Sequence, residues 1–478
     1  MMRMDSNGKV LFIVHDIYQE DNYLPLGYGY MAAMLKKEGV DVKICCQDVF
    51  HYPNDELEKL FLKNNNYDLI GVGFMSARFK ETILGLCETI NRSKKDAWLV
   101  LGGHGPSPIP EYMLKKANVD VVTIGEAEET IVDLLKCKID AGDLSKVKGI
   151  AYRENEEVII NERRKPIRDL DSIPFPEWSL FPMDRYTTCL KLYEASNDNK
   201  ALGILTSRGC INKCNFCYRL EKGIRFRSIK NVIEEIEVLK ENYGVNYFVM
   251  YDELFIFSKK RVFEFQDGLE QNDLKINFSC NARVDIFDDE VVNSLKEAGC
   301  QFINFGMESS DQKVLDLMNK NTTVDENIRA AEITNKAGVG FGLNFLWGNI
   351  GDTEESLKNN VKLTKKFNLY DDIRTIRPVT PYPGCDLYYE AIKSGFLSGP
   401  EDFFNKFKNS DLLTVNFTEI PEDRFYKLLF EANKELIIDY YIHTTKDMDS
   451  ANKLINDFYN LYFKGYTKFR GARHFAKE

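Results

Sequence analysis

Five short apolar runs mark the first part of the chain: KVLFIV, DVKICC, DLIGVGF, WLVLGG and VDVVTIG, between residue 9 and about residue 137, with amphipathic helical patterns between them. Runs that are apolar at nearly every position suit strands covered on both faces. Their alternation with helices predicts a parallel, doubly wound sheet. From about 146 to 195 the rhythm changes. KGIAYRENEEVII reads as a hairpin and RDLDSIPFPEWSLFPMDRY as a proline-punctuated crossing segment, together an interdomain connector.

A second βα series runs from about 200 to 380, with strands near GILTS, NYFVMYD, INFSCNA, FINFGM, GFGLNFLW and IRTIRPV. Six such units make a barrel or most of one. Between the first two strands Ile229, Val232, Ile233, Ile236, Leu239 and Tyr243 recur at helical spacing, giving one face to pack on the sheet. After about 395 no further βα unit follows. RFYKLLFEANKELIIDYYI and ANKLINDFYNLYF predict helices starting after Pro421 and near Ser450. Their aromatic residues, among them Phe425, Tyr426, Phe430, Tyr440 and Tyr441, form the kind of stripe that is more often core than a cavity wall. The expected α/β architecture is a doubly wound, Rossmann-like domain over 1–145, a connector over 146–198, a partial (β/α)6 barrel over 199–395 and a helical region over 396–478.

Composition narrows the partners. A length of 478 residues fits two or three domains. A formal charge of −11 and a pI near 5.3 argue against a large nucleic-acid footprint, leaving a small-molecule or peptidic substrate. MMRMDSNGKVLFIV reaches a strand-like run without the apolar stretch and cleavage site of a signal peptide, and no run approaches transmembrane length, which predicts a cytoplasmic protein with no membrane partner. Eleven cysteines in such a chain point to metal or redox chemistry before disulfides.

Three of them cluster. In Ser207-Arg208-Gly209-Cys210-Ile211-Asn212-Lys213-Cys214-Asn215-Phe216-Cys217-Tyr218 the cysteines are spaced x3 and x2, directly after the first strand of the second series. Three thiolates can ligate only three irons of a 4Fe-4S cube, leaving one iron open. A structural zinc site is the alternative, but zinc normally closes four ligands and no second CxxC or CxxH pair is present. The loop resembles the radical S-adenosylmethionine (SAM) superfamily, whose signature CxxxCxΦC it matches throughout, with Phe216 at the aromatic position. The resemblance implies a 4Fe-4S cluster on Cys210, Cys214 and Cys217, at which SAM is reductively cleaved to a 5'-deoxyadenosyl radical. An electron donor such as flavodoxin or ferredoxin is implied with it.

Over residues 200 to 390 other segments agree with that family. Tyr251-Asp252-Glu253 stands where relatives place acids near the SAM amino group. Asn281-Ala282-Arg283 and Gly306-Met307-Glu308-Ser309 look like SAM-contacting stretches, with Arg283 suited to the carboxylate and Glu308 to the amine or ribose. Each lone charge has an alternative as a solvated strand-end residue. Gly348-Asn349-Ile350-Gly351-Asp352-Thr353 looks like the family's Gly-Pro-Gly-Glu-Thr segment, departing at the proline and at the Glu. Thr380-Pro381-Tyr382-Pro383-Gly384 looks like the turn bordering the adenine, with Pro381 its candidate, or is simply a tight proline turn.

Residues 9 to 137 resemble the cobalamin-binding domain that precedes the barrel in one large radical SAM subfamily, of the class B methyltransferase and anaerobic protoporphyrin cyclase type. Leu24-Pro25-Leu26-Gly27-Tyr28-Gly29, Gly102-Gly103-His104-Gly105-Pro106-Ser107 and Gly125-Glu126-Ala127-Glu128 carry the resemblance. Leu26, Gly73, Gly102, Gly103, His104, Gly125 and Glu126 are its candidate cofactor contacts, at the strand edge where doubly wound sheets bind ligands. The DxHxxG motif that supplies an axial histidine in some cobalamin domains is absent, since His15-Asp16 runs in the wrong order. His104 either meets the corrin or hydrogen-bonds the backbone, and the whole domain is alternatively a scaffold without cobalamin.

The implied activity is cobalamin-dependent methylation of an unactivated carbon. Its rivals are a cyclase or rearrangement enzyme with or without cobalamin, and a non-catalytic cluster- or SAM-binding sensor or assembly factor. A methylthiotransferase fits less well, because Cys45, Cys46 and Cys87 form no recognisable second-cluster set.

Overall fold

The computed structural model describes residues 8–16, 23–63, 66–189, 199–444 and 447–469. The chain divides into two compact units, one of residues 1–191, 200–210 and 218–245, the other of residues 192–199, 211–217 and 246–478.

All five predicted strands of the first series form: β1 (Lys9–Val14), β2 (Asp41–Cys46), β3 (Leu69–Gly73), β4 (Trp98–Gly102) and β5 (Val121–Thr123). They run parallel in the order β2-β1-β3-β4-β5. Five of the six β1 residues are buried, which is why KVLFIV is apolar without alternation. The order reverses between β1 and β3, the switch point at which such sheets open a crevice at their carboxyl ends. The predicted hairpin, β6 (Ile150–Glu154) and β7 (Glu157–Ile160), continues this sheet, with β6 antiparallel to β5. Its two-residue turn, Asn155 and Glu156, has φ of 47° and 74°, the positive angles that match the twist of paired strands.

The second series contributes β8 (Ala201–Ile204) to the first unit. The second unit holds β11 (Tyr247–Met250), β12 (Asn277–Ala282), β13 (Cys300–Glu308), β14 (Gly340–Trp347) and β15 (Arg377–Pro378), each parallel to the next. These six strands are the partial (β/α)6 barrel. Two further strands were not apparent from the pattern: β9 (Ser207–Cys210) and β10 (Gly223–Phe226) form a separate antiparallel pair. Cys210 therefore closes a strand of its own rather than following β8 directly.

The predicted helical face between β8 and β11 is the helix Ile229–Tyr243, with Val232, Ile233, Ile236 and Leu239 buried. Its ends are fixed by Ser228, which accepts from Asn231 N–H, and by Gly244 at φ 69°. The two C-terminal helices are Glu422–Thr444 and Met448–Lys464. Their aromatic stripe is largely core: Phe425 stacks on Trp347 at 4.1 Å between ring centroids, and Phe425, Tyr440 and Tyr441 are buried. Buried Asn433 exchanges two hydrogen bonds with the Ile376 backbone (2.8 and 3.1 Å), satisfying the chain as it enters β15. Among the described residues no helix is long and apolar enough to cross a membrane.

Candidate functional site

The cysteine loop begins in the first unit. β9 and β10 place Arg208 directly opposite Arg225, an arrangement that like charges disfavour. Two carboxylates from the segment after β5 resolve it. Glu126 Oε1 lies 2.7 Å from Arg225 Nη2 and 3.3 Å from Arg208 Nη1, Glu126 Oε2 lies 2.9 Å from Arg225 Nη1, and Glu128 Oε1 lies 2.7 Å from Arg208 Nη1. Arg225 also donates to Ile167 O (2.6 Å), and the Arg208 guanidinium lies over the Tyr30 ring at 4.8 Å. All four charged side chains are at most 14% exposed, so each relies on the others. Burial pushes the Glu126 carboxyl up, but the Arg225 hydrogen bond and the two guanidinium charges outweigh it and hold the group below its usual range.

Glycines make the approach possible. At Gly209, φ 84°, a Cβ would stand 2.3 Å from Gly223 O. At Gly125, φ 87°, it would strike Glu221 Oε1 at 2.4 Å; Glu221 is buried and paired with Arg163 at 3.0 Å. The Gly125-Glu126-Ala127-Glu128 segment is thus engaged by the cysteine hairpin.

The other first-unit candidates sit at the carboxyl edge of the sheet. Gly73 and Gly102 end β3 and β4. A Cβ at Gly102 would meet Thr123 Oγ1 at 2.5 Å, and Gly103 takes φ 92° over the Phe74 backbone, so packing within the domain already requires both glycines. Leu26 opens the helix Leu26–Lys37 and is buried. In the same helix, Tyr28 Oη donates to Ile13 O (2.9 Å) and accepts from Gly73 N–H, bridging β1 and β3 at the switch point. The His104 ring is half-buried, edge-on to Tyr218 at 6.1 Å, and makes no hydrogen bond among the described residues. Burial depresses its pKa, so the imidazole is neutral and its lone pair is available.

The second unit holds the remainder of the loop. Asn215 N–H donates to Met318 O and Asn215 O accepts from Leu387 N–H, both at 2.8 Å. The Asn215 and Asn349 side-chain amides pair reciprocally at 3.1 and 3.3 Å, and Asn319 Nδ2 donates to Lys213 O at 2.9 Å. Asn349 belongs to the turn that departs from Gly-Pro-Gly-Glu-Thr. Its Asp352 accepts from the Gly348 and Asn349 N–H groups, both at 2.9 Å, so the turn is a brace for the loop.

Around the barrel strand ends, Asp252 is buried and Glu253 exposed. Glu308 sits at a register shift in β13 with φ 65°, a left-handed angle uncommon outside glycine. Its Oε1 meets Lys320 Nζ at 2.9 Å, and a Cβ at Gly306 would lie 2.6 Å from that same oxygen. Arg283 Nη2 donates to the Lys320 and Asn321 carbonyls at 2.8 and 3.2 Å, while its Nη1 makes no hydrogen bond among the described residues. Arg283 and Glu308 are therefore brought together around Lys320, a buried cation without a signal in the sequence. Pro381 is buried and Phe216 half-buried.

The donor set fits a cluster. Cys210 and Cys214 are partly exposed and Cys217 is exposed, whereas Cys45, Cys46, Cys87, Cys280, Cys300 and Cys385 are buried; Cys137 is partly exposed but stands alone, on a helix of the first unit. Burial pushes the Cys46, Cys87 and Cys385 thiols up to about 12, keeping them protonated.

The family model described as the radical SAM superfamily matches residues 204–364, and that described as the B12 binding domain matches residues 19–135. A protein of Pyrococcus horikoshii described as an uncharacterized methyltransferase is 30% identical over 380 residues, covering 78% of this chain and 79% of its own. The anaerobic magnesium-protoporphyrin IX monomethyl ester cyclase of Rubrivivax gelatinosus is 29% identical over 400 residues, covering 80% and 70%. The radical SAM methyltransferase TsrM from Kitasatospora setae, solved with cobalamin and a [4Fe-4S] cluster, shares the fold at a TM-score of 0.68 and 16% identity, over 82% of this chain and 75% of its own. Fold and sequence together define a radical SAM enzyme with a B12-binding domain. The chain belongs to the cobalamin-dependent radical SAM family, whose cofactors are a 4Fe-4S cluster, SAM and cobalamin.

Proposed function

We propose that this enzyme methylates an unactivated carbon of a small-molecule or peptidic substrate, with Cys210, Cys214 and Cys217 as the protein ligands of the cluster. The observation that carries the ligand assignment is the grouping of accessible thiols: three on one braced loop, against six buried ones and the solitary, partly exposed Cys137 elsewhere among the described residues. When bound, the cofactors supply a deoxyadenosyl radical that removes a substrate hydrogen and a methyl group that takes its place. The chain's own groups bind and orient. Arg283 Nη1 is open to the SAM carboxylate, Asp252, Glu253 and Glu308 are the acids for its ammonium or ribose, and Phe216 and Pro381 flank the nucleoside. Leu26, Gly73, Gly102, Gly103 and Gly125 form the cobalamin side, with His104 a neutral group toward the corrin. Glu126 serves that side through its ion pairs.

The domain limits 1–145, 146–198, 199–395 and 396–478 belong to this proposal, as do a flavodoxin or ferredoxin donor, the absence of a nucleic-acid partner and a cytoplasmic location. Likeness to the Rubrivivax cyclase supports ring closure as the second reading. Anaerobic reconstitution with iron, sulfide and hydroxocobalamin should leave about four irons and one corrin per chain, and alanine at any of the three cysteines should abolish the cluster. A product that carries one added methyl group in place of a hydrogen, a net gain of CH2, sustains methylation. Iron without corrin, or a product without added mass, removes it.

A further inference from the structure

The ion pairs between the Glu126 segment and the cysteine hairpin are more than a surface bridge. Arg208 is two residues before Cys210 on β9, and Glu126 is the residue after Gly125 at the carboxyl edge of the first sheet. Glu126 engages both strands of the hairpin, since its two oxygens meet Arg208 on β9 and Arg225 on β10. Glu128 neutralises the second guanidinium, and Gly125 lacks the Cβ that would collide with Glu221. A short hairpin with two arginines face to face has no reason to hold this shape alone. It holds because the carboxylates of the sheet edge reach it, and the segment presenting those carboxylates is held by the same bonds.

Any displacement of the 125–128 segment therefore moves charges on which the hairpin depends. We infer that the Glu126–Arg225–Arg208–Glu128 network couples occupancy of the carboxyl edge of the first sheet to the placement of the Cys210 thiol, with Glu126 and Arg225 as positioning residues. This rests on Cys210 being a cluster ligand and on cobalamin binding at that edge. Two sites joined in this way influence each other reciprocally: if the cluster strengthens or weakens corrin binding, corrin changes cluster binding by the same factor. A purely structural network would lower both affinities and leave their ratio alone.

The test measures hydroxocobalamin affinity by desalting and absorbance, on full-length protein with and without its cluster, in the native chain, Glu126→Asp and Arg225→Lys. Glu126→Asp keeps the charge but cannot span both arginines, and Arg225→Lys keeps the charge but loses the two-pronged contact. In the native chain, cluster loading is expected to change the corrin dissociation constant by at least about fivefold. In either variant that factor is expected to fall toward one while four irons are retained. An altered electron paramagnetic resonance spectrum of the reduced cluster on adding hydroxocobalamin, present in the native chain and lost in the variants, gives a second readout. A native factor of one overturns the proposal, as does a factor unchanged in the variants. Loss of fold in both variants, seen by circular dichroism, overturns it too by reducing the network to scaffold. Failure of the underlying assignment looks different: Cys210→Ala would keep its iron, or the native chain would retain no corrin in either state.

Discussion

The two ends of the cysteine loop are held by opposite kinds of chemistry. Cys210 is fixed through charge: two guanidiniums, two carboxylates and a main-chain carbonyl at Ile167, in a nearly dry setting. The stretch containing Cys214 and Cys217 is fixed through neutral amides: backbone bonds at Asn215 and the paired side chains of Asn215 and Asn349. Buried ions are weak net stabilisers but costly to leave unpaired, whereas an amide pair contributes less and loses less. The first end should therefore be brittle and the second forgiving.

Removing the thiols goes past both anchors and has the largest effect. Alanine at Cys210, Cys214 or Cys217 should leave the fold intact by circular dichroism and reduce iron to background, a result equal for the three despite their different anchors. Next comes a second buried ion pair on the charged side, beyond the end of β10 that lies away from Cys210. Arg227, just after β10, donates to Glu235, to Asn231 Oδ1 (2.7 Å) and to Leu205 O (2.8 Å), with Arg227 5% and Glu235 1% exposed. Arg227→Met strands a carboxylate in the core and should cost about 3–5 kcal/mol in denaturant unfolding. Arg227→Met/Glu235→Leu should recover most of that loss, and no recovery would mean that an unpaired buried charge is not what makes such pairs costly to break here.

On the neutral side, Asn349→Ala removes one partner of the reciprocal amide pair and leaves Asn215 to seek another. A loss of about 1–3 kcal/mol is expected, with the cluster still assembled but released faster to a chelator. A loss as large as that of Arg227→Met would erase the contrast between the two anchors.

How much of this was legible in the sequence follows from how local each signal is. KVLFIV announces a strand because burial on both faces removes polar residues from five consecutive positions, and CxxxCxΦC announces a cluster loop because its cysteines share one short segment. The β9–β10 pair carries no such mark: SRGC and GIRF are too short for periodicity, and what stabilises them comes from residue 126, 99 positions away from Arg225 in the chain. Lys320 is likewise unreadable in MNKNTT until β13 turns Glu308 toward it. Glu235 falls on the apolar face of its helix, where pattern alone predicts a hydrophobe; only Arg227 explains it. The glycines of the sheet edge were legible as special positions, but their reason is partly internal packing, which sequence cannot distinguish from ligand approach.

The smallest effect separates the anchors by their response to pH. Burial raises the Asp352 carboxyl to about 6, outweighing the hydrogen bonds it accepts from Ser356, Asn349 and Gly348. The Ser356 hydroxyl, 2.7 Å from Asp352 Oδ1, donates to the carboxylate and so works against the shift, which burial and the nearby Asp311 charge produce. Because the folded pKa lies above the unfolded value of 3.8, the folded state holds the extra proton between those limits, and stability from this group falls as pH rises from about 4 to 6, then levels. Glu126 has the opposite sign: its carboxyl is lowered in the fold, so its contribution is complete above the unfolded value and is lost only as pH falls below it. Asp352→Asn should flatten the slope between pH 4 and 6 in urea titrations, and Glu126→Gln should leave that slope in place while weakening the fold at neutral pH. An unchanged slope in Asp352→Asn would place the titrating group elsewhere and remove the pH contrast between the two ends of the loop.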